Sequence, residues 1–92
     1  MPERDIRKAL KKRVEEYGGE IRAVSWLGRR HAPDVLCLFS DKVRGPVFCE
    51  TKAPGGKPNP GQAREHERMR AAGCTVLVIS TLEQLDEWLP PL

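Results

Sequence analysis

The stretch PDVLCLFSDKVRGPVFCETK, running from Pro33 to Lys52, decides the fold. Val35 to Phe39 and Val47 to Cys49 are near-continuous apolar runs, the pattern of central strands covered on both faces rather than of half-exposed edges. Between them, Ser40-Asp41-Lys42-Val43-Arg44-Gly45 is polar, short and glycine-terminated, which suits a hairpin connection. A hairpin symmetric about Lys42 pairs positions whose numbers share a constant sum, and Asp34 then falls directly opposite Glu50. Lys52, two residues beyond Glu50, points to the same face.

Two carboxylates facing each other at the ends of apolar strands repel, and they are costly to leave unpaired. Lys52 can neutralise one of them. A hard divalent ion held by carboxylate oxygens resolves the repulsion and also supplies a Lewis acid for a scissile phosphate. Lys52 would then orient the attacking water or stabilise charge building on the phosphoryl oxygens. Taken singly, each residue has a plainer explanation, Glu50 and Lys52 as a surface ion pair and Asp34 as the start of a strand after proline. Their parity, opposition and placement at the ends of buried strands together favour chemistry.

Outward from this centre, Ile6, Leu10, Val14 and Tyr17 recur at helical spacing, while Arg7, Lys8, Lys11, Lys12, Glu15 and Glu16 fill the other positions. Pro2 suits the first turn, Glu3 and Asp5 suit the positive end of the helix dipole, and Gly18-Gly19 ends the helix. Glu20 to Leu27 alternates as a strand, with Ile21, Ala23 and Ser25 on one side and Arg22, Val24 and Trp26 on the other. Trp26 is expected to be partly buried, with exposure and an interface role as the alternative. Gly28-Arg29-Arg30-His31 forms a basic turn in which His31 meets phosphate or solvent.

After Lys52, the segment Pro54 to Gly61 cannot hold regular structure, because its prolines remove donors and its glycines add backbone freedom. It carries Lys57 and is either a phosphate-contacting flap or a plain connection. A helix from Gln62 to Ala72 follows, with Ala63, His66 and Met69 on one face, so that His66 is a packed histidine. Cys74 to Ile79 is a buried strand. Ser80-Thr81-Leu82-Glu83 matches a capping box for a last short helix, docked by Leu82, Leu85, Leu89 and Trp88. The order predicts a mixed α/β sandwich in three layers.

A chain of 92 residues with 39% apolar content supports one domain, residues 1–92. Lys plus Arg exceed Asp plus Glu by 16 to 13, a formal charge of +3 that suits a polyanionic partner. Cys37, Cys49 and Cys74 sit in apolar runs without C-x-x-C spacing and are expected as buried reduced thiols rather than as a zinc site or disulfide. No apolar stretch approaches the roughly 20 residues of a membrane span, and the amino terminus lacks a signal-peptide core, so the expected location is the cytoplasm.

Pro33-Asp34 followed by Glu50-Thr51-Lys52 resembles the PD-(D/E)xK signature of restriction-endonuclease-like nucleases. With Glu3 near the start of the first helix, Gly18-Gly19 closing it and Gln62 opening the helix after the Pro/Gly loop, the whole chain is similar to the virus-type replication-repair nuclease (VRR-NUC) domain in its compact phage form. His31-Ala32 stands where a glycine and a small apolar residue are more usual in that family. The resemblance implies an αβββαβ core with a mixed four-stranded sheet, and Mg²⁺ or Mn²⁺ bound by Asp34, Glu50 and the main-chain carbonyl of Thr51. It also implies that Lys52 is catalytic, that Glu3 supports the metal site, and that Gln62 completes the site beside the attacking water.

The function expected on this basis is a metal-dependent DNA endonuclease acting on structured or branched DNA, with a four-way junction as the leading substrate. Coordinated cleavage of two strands by so small a domain requires two active sites, hence a homodimer. The alternatives are a non-catalytic nucleic-acid-binding module and a purely structural partner in a replication or repair complex. A degenerate member should have lost one of Asp34, Glu50 or Lys52, and all three are present.

Overall fold

In the computed structural model, which describes residues 1–41 and 44–92, the first helix α1 (Glu3–Glu16) buries Ile6, Leu10 and Val14, one side chain per turn. Pro2 occupies its N-cap, and Glu3 and Asp5 lie in its first turn. Gly18 turns the chain away at φ +78°, and Gly19 brings it against the sheet. A Cβ at position 19 would lie 2.5 Å from the Leu38 carbonyl oxygen and 2.8 Å from Val14 Cγ1. Gly19→Ala should therefore cost about 1–3 kcal/mol, because a backbone carbonyl cannot step aside as a side chain can. The check is a fall in the urea midpoint; an unchanged midpoint would mean that the corner relaxes freely.

The chain continues through β1 (Glu20–Ala23), β2 (Val35–Leu38), β3 (Val47–Thr51), α2 (Pro60–Ala71), β4 (Thr75–Ile79) and α3 (Leu82–Trp88). The four strands form one sheet in the order β1-β2-β3-β4. The first three are antiparallel, and β4 is parallel to β3, with α2 as the crossover. This is the mixed four-stranded α/β architecture that the sequence leads one to expect.

The register between β2 and β3 pairs Val35 with Cys49, Leu36 with Phe48, and Cys37 with Val47. Each pair shares the sum expected of a turn centred on Lys42, and one further step sets Asp34 opposite Glu50. Lys42 itself lies outside the described residues.

One face of the sheet buries Val35, Cys37, Val47, Cys49 and Ile79 against Ile6, Leu10 and Val14 of α1, Leu85 of α3 and Leu89 just past its end. Arg13 ties the two helices together by donating to Asp86 at 2.8 Å and to the Leu89 carbonyl at 2.5 Å. The opposite face carries α2, whose buried side chains are Glu65, His66 and Met69. Cys37 and Cys49 are buried free thiols with sulfurs 3.7 Å apart, and Cys74 is half-buried. Among the described residues, no helix is long and apolar enough to cross a membrane.

Several local expectations need correction. The first strand ends at Ala23 rather than Leu27, because Trp26 swings back to donate from Nε1 to the Pro33 carbonyl at 2.7 Å. Its ring packs at 5.6 Å on Phe48, and Trp26 is half-buried, as expected. Leu36 and Phe48 are half-buried, so the central strands are fully covered on one face only. On α2, Ala63 is exposed and Glu65 is buried in its place. Arg29 and Arg68 make that burial tolerable by pairing with Glu65, which also fastens the 24–34 loop to α2. His31 stays exposed, as expected of that turn, with its ring beside Gly61, where a Cβ would come within 2.7 Å. The last helix is capped by Thr81, which accepts from Gln84 N, one residue later than the Ser80/Glu83 box would place the cap, while the Gln84 side chain accepts from Ser80 N.

Candidate active site

The carboxyl-terminal end of β3 delivers Glu50 and Thr51, and Lys52 follows directly with its N–H bonded to the Ile79 carbonyl at 3.0 Å. Asp34 enters from the chain just before β2, where its carbonyl accepts from Val24 N at 2.9 Å. Both backbones are thus held by sheet hydrogen bonds, which fixes where the two carboxylates can point.

Successive residues of β3 alternate between faces, so Thr51 looks toward α1 and Glu50 toward α2. From α1, the Arg7 guanidinium takes both oxygens of Asp34, at 3.1 and 3.0 Å, and donates to Thr51 Oγ1 at 3.3 Å. Thr51 Oγ1 in turn donates to Glu3 Oε1 at 3.2 Å. Glu3, Arg7, Asp34 and Thr51 therefore form one connected network.

Glu50 has a different environment. Its side chain is 9% exposed, and its Oε1 lies 3.5 Å from Nε2 of the fully buried His66. Among the described residues, neither of these two buried atoms has a hydrogen-bond partner. The Glu50 carboxyl is pushed up to about 7, first by burial and then by the charge of Asp34, with Glu3 adding to the rise and Lys52 and Arg7 opposing it. His66 is held below its ordinary value by burial and by the nearby positive charges of Arg70 and Lys52.

A stability prediction follows from these shifts. Between pH 4.5, the ordinary value, and about 7, folded Glu50 keeps a proton that the unfolded chain has released. Its contribution is complete below the ordinary value and is lost as pH rises through the folded one. His66 acts with the opposite sign, since its contribution is lost as pH falls. The difference between wild type and Glu50→Gln isolates the carboxylate. In metal-free urea titrations, wild-type stability relative to Glu50→Gln should fall by about 1–3 kcal/mol from roughly pH 5 to pH 8. A difference independent of pH would contradict this picture of Glu50.

The residues suit a hard divalent cation. Among the described residues, no group of three or more His, Cys, Asp or Glu side chains comes together as a metal cage. The groups that could hold one are the carboxylates of Asp34 and Glu50, whose charges act on each other, and the main-chain carbonyl of Thr51. Such a set leaves positions for water and phosphate, as Mg²⁺ and Mn²⁺ require. The unpartnered buried Glu50 oxygen is the observation in favour, since a bound cation would satisfy it.

The structure thus brings Glu3, Asp34, Glu50, Thr51 and Lys52 to one end of the sheet. Gln62 lies in the first turn of α2, where its Oε1 accepts from Asn59 N at 3.0 Å and its N–H donates to Asn59 Oδ1 at 2.8 Å. Those two bonds form a capping box. The sequence reads His66 correctly as a packed histidine but not as the neighbour of Glu50, and Arg7 is a residue it did not single out. Each sits one helical turn after a residue that it did, Arg7 after Glu3 and His66 after Gln62, and i,i+4 spacing places such pairs on one face.

Known proteins give the context. No family model matches the sequence. The chain is 39% identical over 89 residues, covering 96% of itself and 91% of the relative, to "Putative nuclease p44" of Acyrthosiphon pisum secondary endosymbiont phage 1. It superposes with a TM-score of 0.82, at 40% identity, on a solved structure described as a VRR-NUC domain, covering 92% of this chain and 90% of that one.

Proposed function

Because the chain belongs to the VRR-NUC domain family of nucleases, we propose that it hydrolyses phosphodiester bonds in DNA as a Mg²⁺- or Mn²⁺-dependent endonuclease. The observation that carries this reading is a buried Glu50 that feels the charge of Asp34 and whose Oε1 has no hydrogen-bond partner among the described residues. Asp34, Glu50 and the Thr51 carbonyl would hold the ion, which would polarise the phosphodiester and make hydroxide available near neutral pH. Glu3 and Arg7 fix the Thr51 hydroxyl between them and so steady the strand end that presents this carbonyl. His66, wedged beneath Glu50, limits the positions its carboxylate can take. Lys52 places an ammonium beside the reacting phosphate, where it orients the nucleophile and stabilises developing negative charge. Gln62 would have to leave its capping bonds with Asn59 to act beside the attacking water.

A branched substrate accords with the small size of the domain. One domain offers one such site, so paired cuts across a four-way junction would come from two copies related by a two-fold axis. The test is incubation with plasmid, single-stranded, flap and four-way-junction DNA, each with Mn²⁺ and with chelator. Junction cleavage in paired, symmetric positions, by a species sedimenting at twice the chain mass, is the expected result. Absence of cleavage of every substrate in Mn²⁺ would contradict the function.

A further inference from the structure

Arg7 does more at this site than the nuclease reading asks of it. Its guanidinium covers both oxygens of Asp34, the same oxygens a divalent ion would use, and it also reaches Thr51. A cation approaching the same side of that carboxylate meets the Arg7 Nη2 between the two oxygens and is opposed by its charge. The Arg7–Asp34 pair is nonetheless a weak lock, since the two side chains are 40% and 49% exposed and such pairs contribute little net stability. Beside it, at the open side of α1, lies a cavity of about 260 Å³ lined by Glu3, Arg4 and Arg7. Arg7 therefore borders both the carboxylate pair and a second space whose other cationic wall is Arg4.

We propose that Arg7 is a phosphate clamp released by the metal: a divalent ion at Asp34 frees the guanidinium to hold a DNA phosphate in the adjoining cavity. The inference rests on the nuclease reading and deepens it, because it couples the cofactor to the substrate through one side chain. Without the ion, Arg7 neutralises Asp34 and is withheld from DNA. With the ion, the lost ion pair is replaced by a bidentate Arg–phosphate contact, the geometry a planar guanidinium favours. Metal and DNA then strengthen each other's binding, as linkage requires.

The experiment measures binding only. Mn²⁺ is titrated calorimetrically into wild type, Arg7→Gln, Arg7→Lys and Arg4→Gln, and junction affinity is measured in Ca²⁺ and in chelator. Without DNA, Arg7→Gln should bind Mn²⁺ about 3-fold or more tightly than wild type, the scale of an exposed ion pair removed as a competitor. Arg4→Gln removes the same charge from the same cavity but touches no Asp34 oxygen, and should change Mn²⁺ affinity by less than about twofold. Arg7→Lys cannot bridge Asp34 and Thr51 together and should also tighten Mn²⁺, though less; it serves equally if the Gln variant is unfolded. For DNA, the loss caused by Arg7→Gln should be at least about threefold larger in Ca²⁺ than in chelator, with a shallower salt slope by about one only in Ca²⁺. Unchanged or weaker Mn²⁺ binding by both Arg7 variants, or equal loss of DNA affinity with and without Ca²⁺, overturns the inference alone. A wild type that binds no Mn²⁺ overturns the metal-dependent reading itself, and this inference with it.

Discussion

Asp34→Ala and Glu50→Ala should each lose divalent-ion-dependent cleavage by about 10²-fold or more, the scale of losing one element of electrostatic stabilisation at a reacting phosphate. Both proteins should remain folded, but their metal-free stabilities should part. Asp34 is about half exposed and, among the described residues, paired with Arg7, so its removal should change stability by no more than about 1 kcal/mol. Glu50 is buried, its Oε1 has no hydrogen-bond partner among the described residues, and its proton is held up to about 7. Deleting that carboxylate removes a desolvated charge, so above neutral pH Glu50→Ala should match or exceed wild type in metal-free urea titrations. A marked loss of stability in Glu50→Ala at alkaline pH would show that Glu50 is a structural anchor rather than a functional carboxylate kept at a cost. Full cleavage by Asp34→Ala at matched concentration would remove the proposed site.

Lys52→Ala should separate chemistry from binding. Lys52 is half-buried, its main chain is bonded to Ile79, and its charge acts on both Glu50 and His66. Phosphate affinity, in contrast, is spread over many of the 16 Lys and Arg residues. Junction affinity in Ca²⁺ should therefore stay within a few-fold of wild type, whereas single-turnover cleavage in Mn²⁺ should fall by about 10²-fold or more. Lys52→Arg should not restore the rate, because a planar guanidinium cannot take the place of a compact ammonium at a tight site. The acid limb of the residual pH–rate profile should move to higher pH, since removing Lys52 withdraws a charge that holds Glu50 down. Equal loss of affinity and rate would make Lys52 a binding residue and take the central step from the mechanism.

The two central strands and their register were legible because one physical constraint governs them. Apolar runs joined by a short polar turn have few ways to pair, and parity then sets Asp34 opposite Glu50. What periodicity does not encode is the reach of a long polar side chain. Arg7 occupies an ordinary polar position of an amphipathic helix, and only the packing of α1 over the end of β3 brings it to Asp34 and Thr51. His66 was legible as a packed histidine but not as the neighbour of Glu50, since that contact depends on how α2 crosses the sheet. Glu65 escaped for a related reason: a carboxylate can be buried where Ala63 was expected once Arg29, from a loop 36 residues earlier, supplies its partner. The early end of β1 reflects the indole of Trp26 bonding to the Pro33 carbonyl, a local choice that alternation from Glu20 to Leu27 does not reveal.

The central claim is that the opposed pair Asp34 and Glu50 forms a divalent-ion site that cuts DNA. It is tested most directly by single-turnover cleavage of a four-way junction with wild-type and Asp34→Ala proteins, each in Mn²⁺ and then in excess chelator. The account predicts cleavage by wild type in Mn²⁺ alone, abolished by chelator and restored by added metal, with none above background from Asp34→Ala. Cleavage by wild type that persists in chelator, or equal cleavage by Asp34→Ala, would contradict it.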